Sequence, residues 1–285
     1  MFATHNNKKL NLAFKHFYNK NQYTNLLKPK KHPTWMDKNK IKQIVKEGYS
    51  NIANADKGCC SCSCKAKKEF DEEIAKQIGY SDEEINIAPE ANLGLGCGNP
   101  LALGKIKPGE TILDLGSGAG FDCFIASRKV GIKGKVIGVD MTEEMIEKAR
   151  TNAKKHNFKN VEFKRGEIES LPIEDNSIDV IISNCVINLS PDKSKVFEEA
   201  FRVLKEGGRM YLSDIVLLGD LTKEQKNNPS LLVGCVSGAL PKEEYLSLVK
   251  KAGFKVKILA EDKDISKKQY NGIPLESLKI EALKF

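Results

Sequence analysis

Histidine is scarce in this chain: there are four, three of them within the first 35 residues, and only His156 stands in the body. Chemistry that leans on a histidine general base has little to draw on here. No stretch approaches the roughly 18–20 apolar residues of a membrane span, and the mean hydropathy of -0.39 agrees. The N-terminus has no long apolar core, which argues against a secretory signal. The body also lacks an excess of charge. The net charge is +8, and Lys8, Lys9, Lys15, Lys20, Lys28, Lys30 and Lys31 supply seven of it in a segment without Asp, Glu or Arg. The rest of the chain is nearly neutral, so a basic footprint for nucleic acid is not expected, and neither is a membrane partner.

What is present is cysteine. Eight of the 285 residues are Cys. Without an export signal they imply a reducing, cytoplasmic setting, where ligands, redox groups or core filler outnumber structural disulfides. The Lys- and Asn-rich segment 1–35 admits three readings: an extension upstream of a natural start at Met36, an organelle-targeting signal, or a folded arm.

Residues 36–110 read as an N-terminal helical and Cys-rich loop region. Ile41, Ile44 and Val45 mark an amphipathic helix from Asp37, and "NADKGCCSCSCKAKK" reads as loop. "EFDEEIAKQIGY" reads as a helix with Phe70, Ile74 and Ile78 on one face. Ser81 and Glu84 form a capping-box pattern, and "PEANLGLGCGNPLAL" reads as loop. From residue 111 the pattern changes to short apolar runs alternating with helical periodicity: "TILDLG", "KVIGVDM", "VEFKRG", "IDVIISN" and "GGRMYLSDIVL" as strands, with helices between. Thr142 is placed to cap the helix "TEEMIEKARTNAKKH". Such alternation predicts an α/β fold, a doubly wound, mostly parallel sheet with helices on both faces. "KVKILAE" and "LESLKIEALKF" supply closing strands, one antiparallel, after an insertion at about 215–240.

"LDLGSGAGFD" ends the first strand with Gly116, Gly118 and Gly120. The spacing is G-x-G-x-G: Phe121 stands where a dinucleotide fingerprint has its last glycine, and no Gly-Lys-Ser/Thr follows to make a phosphate loop. Asp140 ends the second strand, where an acidic side chain accepts from ribose hydroxyls. With "LPIEDNSIDVIISN" and "RVLKEGGRM", residues 111–214 resemble the class I S-adenosylmethionine-dependent (Rossmann-like) methyltransferases. The resemblance implies S-adenosylmethionine as methyl donor, with Gly116, Ser117 and Gly118 along its methionine moiety and Asp140 on the ribose. It places Glu167 and Ile168 beside the adenine and makes Asp114 a tether for the loop or the ammonium. Gly120, Met141 and Asn184 complete the candidate cofactor set, in a methyltransferase domain over 111–285.

Three lone cysteines remain: Cys97 in "GLGCGNP", Cys185 in "SNCVINL" and Cys235 in "LVGCVSGAL". Each alone reads first as core filler. All three, however, fall in loops at the carboxyl ends of the strands, where such folds bind ligands. A soft acceptor held by thiolates carries its own lone pair and needs no general base. "YSNIA", "LGLGCGNP", "SNCVINLSPDK" and "LVGCVSGAL" together resemble the arsenite methyltransferases over about residues 37–285. That resemblance implies trivalent arsenic, as arsenite or its glutathione conjugate, bound as substrate by Cys97, Cys185 and Cys235. It further implies a cysteine matching Cys59 or Cys60, with glutathione or thioredoxin as reductant. For the run holding Cys59, Cys60, Cys62 and Cys64 three readings stand: arsenical capture or redox, another metal, or surplus; no second CxxC completes an ordinary zinc site. Two rival functions are a same-fold methyltransferase of a small organic acceptor and a non-catalytic thiol-rich metalloid binder.

Overall fold

The computed structural model describes residues 37–55 and 61–285, with side chains over 37–55 and 67–285. Seven strands form one sheet: β1 (Thr111–Leu115), β2 (Lys135–Asp140), β3 (Val161–Arg165), β4 (Ile178–Asn184), β5 (Leu204–Leu217), β6 (Lys255–Asp262) and β7 (Leu275–Leu283), in the order β3-β2-β1-β4-β5-β7-β6. β1, β2, β3, β4 and β5 pair in parallel, and β7 runs antiparallel to both β5 and β6. The sheet is therefore the expected one, with a refinement. β7, the last strand in sequence, lies inside the sheet between β5 and β6. β1 and β4 are buried along nearly their whole length, as strands covered on both faces must be, and their composition is accordingly continuous apolar rather than alternating.

Helices α1 (Lys38–Asn54), α2 (Ser61–Gln77), α3 (Asp82–Ile85), α4 (Pro100–Leu103), α5 (Phe121–Val130), α6 (Glu143–Lys155) and α7 (Lys193–Val203) precede or fill the first crossovers. α8 (Lys223–Lys226), α9 (Pro229–Val233), α10 (Lys242–Lys251) and α11 (Ile265–Gln269) follow β5. The Ser81/Glu84 capping box is made, both halves of it. Three expectations change. The Cys-rich stretch is not all loop, because α2 already begins at Ser61; Cys59 and Cys60 lie outside the described residues. Thr142 does not cap α6 with its side chain; its N–H instead donates to the Asp140 carboxylate at 2.8 Å. In the 89–103 segment, Pro89–Ala91 forms a single 3-10 turn and Asn99 caps the short α4.

The reversal of strand order between β1 and β4 opens a crevice at the carboxyl ends. α1 lies across it. Its apolar face, Ile44, Val45 and Ile52, is buried, and at Gly48 an added Cβ would sit 2.6 Å from Val233 Cγ2, so glycine there lets α1 close on α9. Ser50 Oγ donates to Glu144 at 2.9 Å and joins α1 to α6.

Candidate active site

The register of the sheet places the parts. Leu115 pairs with Ser183, so Gly116 and Asn184 leave adjacent strands side by side; Asn184 pairs with Ser213, so Cys185 emerges beside Asp214. The glycine loop is anchored first to β2: the Gly116 and Ser117 N–H groups both donate to the Val139 carbonyl, at 2.8 and 3.0 Å. Gly116 has φ +69, and a Cβ on it would meet Val186 Cγ2 at 2.4 Å, so any side chain there is excluded twice over. Gly118, at φ +50, faces open space. Asp140 accepts from the Gly118 N–H at 3.0 Å and the Thr142 N–H at 2.8 Å, which fixes its carboxylate while burial pushes its pKa up.

Behind the loop lies a buried polar set. Cys123 Sγ donates to Asp114 Oδ2 at 3.2 Å, Tyr80 OH donates to Asp122 Oδ1 at 2.6 Å, and Asn184 Nδ2 donates to Tyr80 OH at 3.0 Å. Burial, then the neighbouring Asp122 charge, pushes Asp114 well above the usual carboxylate range. Burial lifts Asp122 to about 6 against the hydrogen bonds from Tyr80 and Asn184. The groups setting these two acids are other acids, a thiol, a phenol and an amide.

The three lone cysteines meet. The Cys97 loop is clamped rather than free: its N–H donates to Asn184 Oδ1 at 3.1 Å, Asn184 Nδ2 donates to the Gly98 carbonyl at 2.7 Å, and Ser277 Oγ donates to the Cys97 carbonyl at 2.7 Å. Cys185 is held by its N–H on the Ser213 carbonyl at 2.8 Å, and Cys235 Sγ donates to the Cys185 carbonyl at 2.7 Å. Cys185 and Cys235 sit at φ 57 and 65; among the described residues every other non-glycine residue with positive φ is an asparagine. A cysteine has no local hydrogen bond to compensate that conformation, so surrounding contacts impose it, as they often do at functional sites. Burial holds the Cys185 thiol far above its ordinary pKa, and contact with the Cys235 and Cys97 thiols adds to the shift. For Cys235 the hydrogen bond with Cys185 pulls down, but burial and the Asp214 and Cys97 charges carry the net shift upward. Ile44, Val45, Ile215, Leu217 and Val236 enclose the group in apolar surface.

Asp114, Gly116, Ser117, Gly118, Asn184, Cys185 and Cys235 line one cavity, with Phe70, Ile74 and Gln77 of α2 on its far wall. Asp140, Met141 and Ile168 line a second recess, joined to the first at Tyr49, Gly116 and Val186. Of the remaining candidates, Gly120 caps α5 behind the loop, and Cys97 does not line the cavity but is buried beside Cys185, the two Sγ atoms within 4.8 Å of each other. Glu167 turns outward to Lys42, its Oε2 2.7 Å from Nζ. His156 lines neither recess and lies 3.0 Å from Glu90 Oε2. Tyr49, Tyr80, Asp122 and Asp214 were not picked out from sequence. Two left a signal there: Tyr49 opens "YSNIA", and Asp122 is the acid that closes "SGAGFD".

Residues 106–253 match a family model described as a methyltransferase domain. An arsenite methyltransferase of Halobacterium salinarum is 44% identical over 231 residues, 76% of this chain and 58% of that protein. The arsenite methyltransferase of Mus musculus is 36% identical over 229 residues, 76% of this chain and 59% of that protein. The crystal structure of CrArsM, an arsenic(III) S-adenosylmethionine methyltransferase from Chlamydomonas reinhardtii, superposes with a TM-score of 0.59 at 34% identity, covering 74% of this chain and 73% of that one. The chain belongs to the arsenite methyltransferase family. It spans a little under three fifths of the curated relatives' length, 58% and 59% for the two above. Among the described residues no helix is long and apolar enough to cross a membrane.

Proposed function

We propose that this protein is an arsenite methyltransferase, moving a methyl group from S-adenosylmethionine to trivalent arsenic bound by Cys97, Cys185 and Cys235. One observation carries the reading: three buried thiols, far apart in sequence, converge, Cys185 and Cys235 in the lining of the cavity that holds the glycine loop and Cys97 buried beside Cys185.

The residues fit the methyl donor. Ser117 Oγ is buried and has no hydrogen-bond partner among the described residues, Gly118 leaves open space beside it, and Asp140 keeps lone pairs free toward the second recess. Asp114 and Asp122 suit a ligand carrying an ammonium and a sulfonium. Bound S-adenosylmethionine supplies an electrophilic methyl on an already positive sulfur. The protein's task is alignment and exclusion of water, which α1 and the apolar wall around the thiols support.

The raised Cys185 and Cys235 thiols suit arsenous acid. Each As–O bond that breaks releases a hydroxyl, which leaves as water with the proton of the thiol that forms the As–S bond. Charge balances at every exchange, so a dry site is no obstacle. Arsenic keeps its lone pair as nucleophile, and no general base is required, in keeping with a cavity without histidine. Transfer raises arsenic formally by two electrons. A cysteine pair returns them and becomes a disulfide, which glutathione or thioredoxin reduces; Cys59 or Cys60 is the candidate for this step.

The test is methyl transfer from labelled S-adenosylmethionine to arsenite with glutathione present. Cys185→Ser should cut turnover by roughly 100-fold or more while cofactor affinity stays within about threefold. Transfer undiminished in that variant sinks the reading.

A further inference from the structure

The thiol centre contains a donor that arsenic does not use. An Asp214 carboxylate oxygen and the Cys97 and Cys185 Sγ atoms all lie within 4.8 Å of one another, and all three residues are buried. We infer that Cys97, Cys185 and Asp214 form a site for a thiophilic divalent cation of the zinc type, which competes with trivalent arsenic for the same thiols. The inference rests on the thiol-centre reading and adds a ligand class to it.

Geometry, chemistry and charge each support it. Zinc takes thiolates at about 2.3 Å and carboxylates at about 2.0–2.2 Å, which sets donor–donor edges of about 3.5–3.8 Å in a tetrahedron. A cluster already within 4.8 Å closes to that with side-chain adjustment alone. Asp214 Oδ1 accepts from Asn188 Nδ2 at 2.8 Å and the Ile215 N–H at 3.0 Å, while Oδ2 accepts from Tyr245 OH at 3.1 Å. Oδ2 therefore keeps a lone pair, and the other bonds hold the carboxylate in place as supporting contacts do for metal ligands. Trivalent arsenic is saturated by three thiolates. A mixed sulfur and oxygen set suits a borderline cation instead.

Two thiolates and one carboxylate carry three negative charges; a divalent cation cancels two. Lys193, whose Nζ donates to the Ser190 carbonyl at 2.9 Å, supplies the third; burial lowers its pKa, and the Asp214 and Cys235 charges oppose that shift. A closed neutral set of this kind is what a buried site tolerates. Cys235, whose thiol donates to the Cys185 carbonyl at 2.7 Å, stays neutral beside the set.

The experiment uses the reduced full chain with Cys59, Cys60, Cys62 and Cys64 changed to Ser, so that the N-terminal thiols cannot bind the cation themselves. Zn2+ is titrated against a chromophoric chelator, and Co2+ serves as the spectroscopic probe. One equivalent should bind, with tetrahedral Co2+ bands and thiolate charge transfer. Adding Asp214→Asn, which keeps size and most hydrogen bonds, should weaken Zn2+ by about 10-fold or more and leave arsenite affinity within about threefold. No stoichiometric binding, or equal Zn2+ affinity in Asp214→Asn, overturns the inference. As an independent measure, Zn2+ should protect Cys97 and Cys185 from alkylation read by mass spectrometry; unprotected thiols overturn it even where Asp214→Asn does not fold. Arsenite binding in Cys185→Ser separates the two readings. If it survives there, the thiol centre itself is wrong; if it is lost while Asp214→Asn keeps full Zn2+ affinity, only the cation site is wrong.

Discussion

The two halves of the candidate site are built in opposite ways. The cofactor half is local: the loop over 114–120 and Asp140 to Thr142 follow two adjacent strands, and their contacts are main-chain N–H groups on nearby acceptors. The thiol half is assembled from Cys97, Cys185, Asp214 and Cys235, which are far apart in the chain and enclosed by apolar side chains. Asn184 is the joint between them, touching the Cys97 N–H, the Gly98 carbonyl, Tyr80 and Asp122 with one amide. A backbone cradle can be specified by a few consecutive residues. A soft-ligand site needs side chains that converge from several directions, and that requires the finished fold.

The comparison makes a sharp demand: damage to one half should spare the other. Asp140→Ala removes a charged acceptor at the cofactor end. The dissociation constant for S-adenosylmethionine should rise by about 10- to 100-fold, the equivalent of one hydrogen bond to a charged group. Calorimetric arsenite binding should stay within about threefold, since Asp140 does not line the cavity that holds Cys185 and Cys235. A parallel loss of both would merge the halves into one.

A smaller effect lies under the thiols. Burial raises Asp214 to about 7, with hydrogen bonds from the Ile215 N–H and Tyr245 opposing it. A carboxyl raised in the folded state contributes stability that is fully present below its unfolded pKa near 4 and is lost as pH rises through about 7. The unfolding free energy of the wild type, read from urea titrations, should therefore fall between about pH 4 and 7 relative to Asp214→Asn, by an amount on the order of a few kcal/mol. A difference that does not change with pH would mean that Asp214 is charged throughout.

The smallest effect concerns the backbone. At φ 65, Cys235 holds a conformation that glycine adopts freely. Cys235→Gly should be more stable than Cys235→Ala by about 1 kcal/mol, although glycine ordinarily costs stability. Both should lose arsenite binding. The reverse order of stability would place the strain elsewhere.

Much of this was legible in the residues. Continuous apolar runs such as "IDVIISN" can only be strands buried on both faces, and "LDLGSGAG" with Asp140 twenty residues beyond Gly120 marks the ligand end of such a sheet. The Ser81 and Glu84 cap was readable because its partners are three residues apart. Other features were not. "LESLKIEALKF" reads as a strand, but its place between β5 and β6 depends on pairing across the sheet. "GLGCGNP" reads as a mobile loop from its glycines, yet Asn184 and Ser277 clamp it. Asp214 sits in the middle of an apolar strand and gives no sign of what it faces.

The sequence by itself determined the alternation of strands and helices, the glycine turn and the acid that follows it, because each depends on residues within a turn or two of one another. The tertiary structure alone decided that three thiols and a carboxylate share one apolar enclosure, and that two cysteines are bent into left-handed backbone to reach it. The reason is physical: strand pairing and helix packing set distances between residues far apart in the chain, and soft-ligand chemistry begins only at those distances.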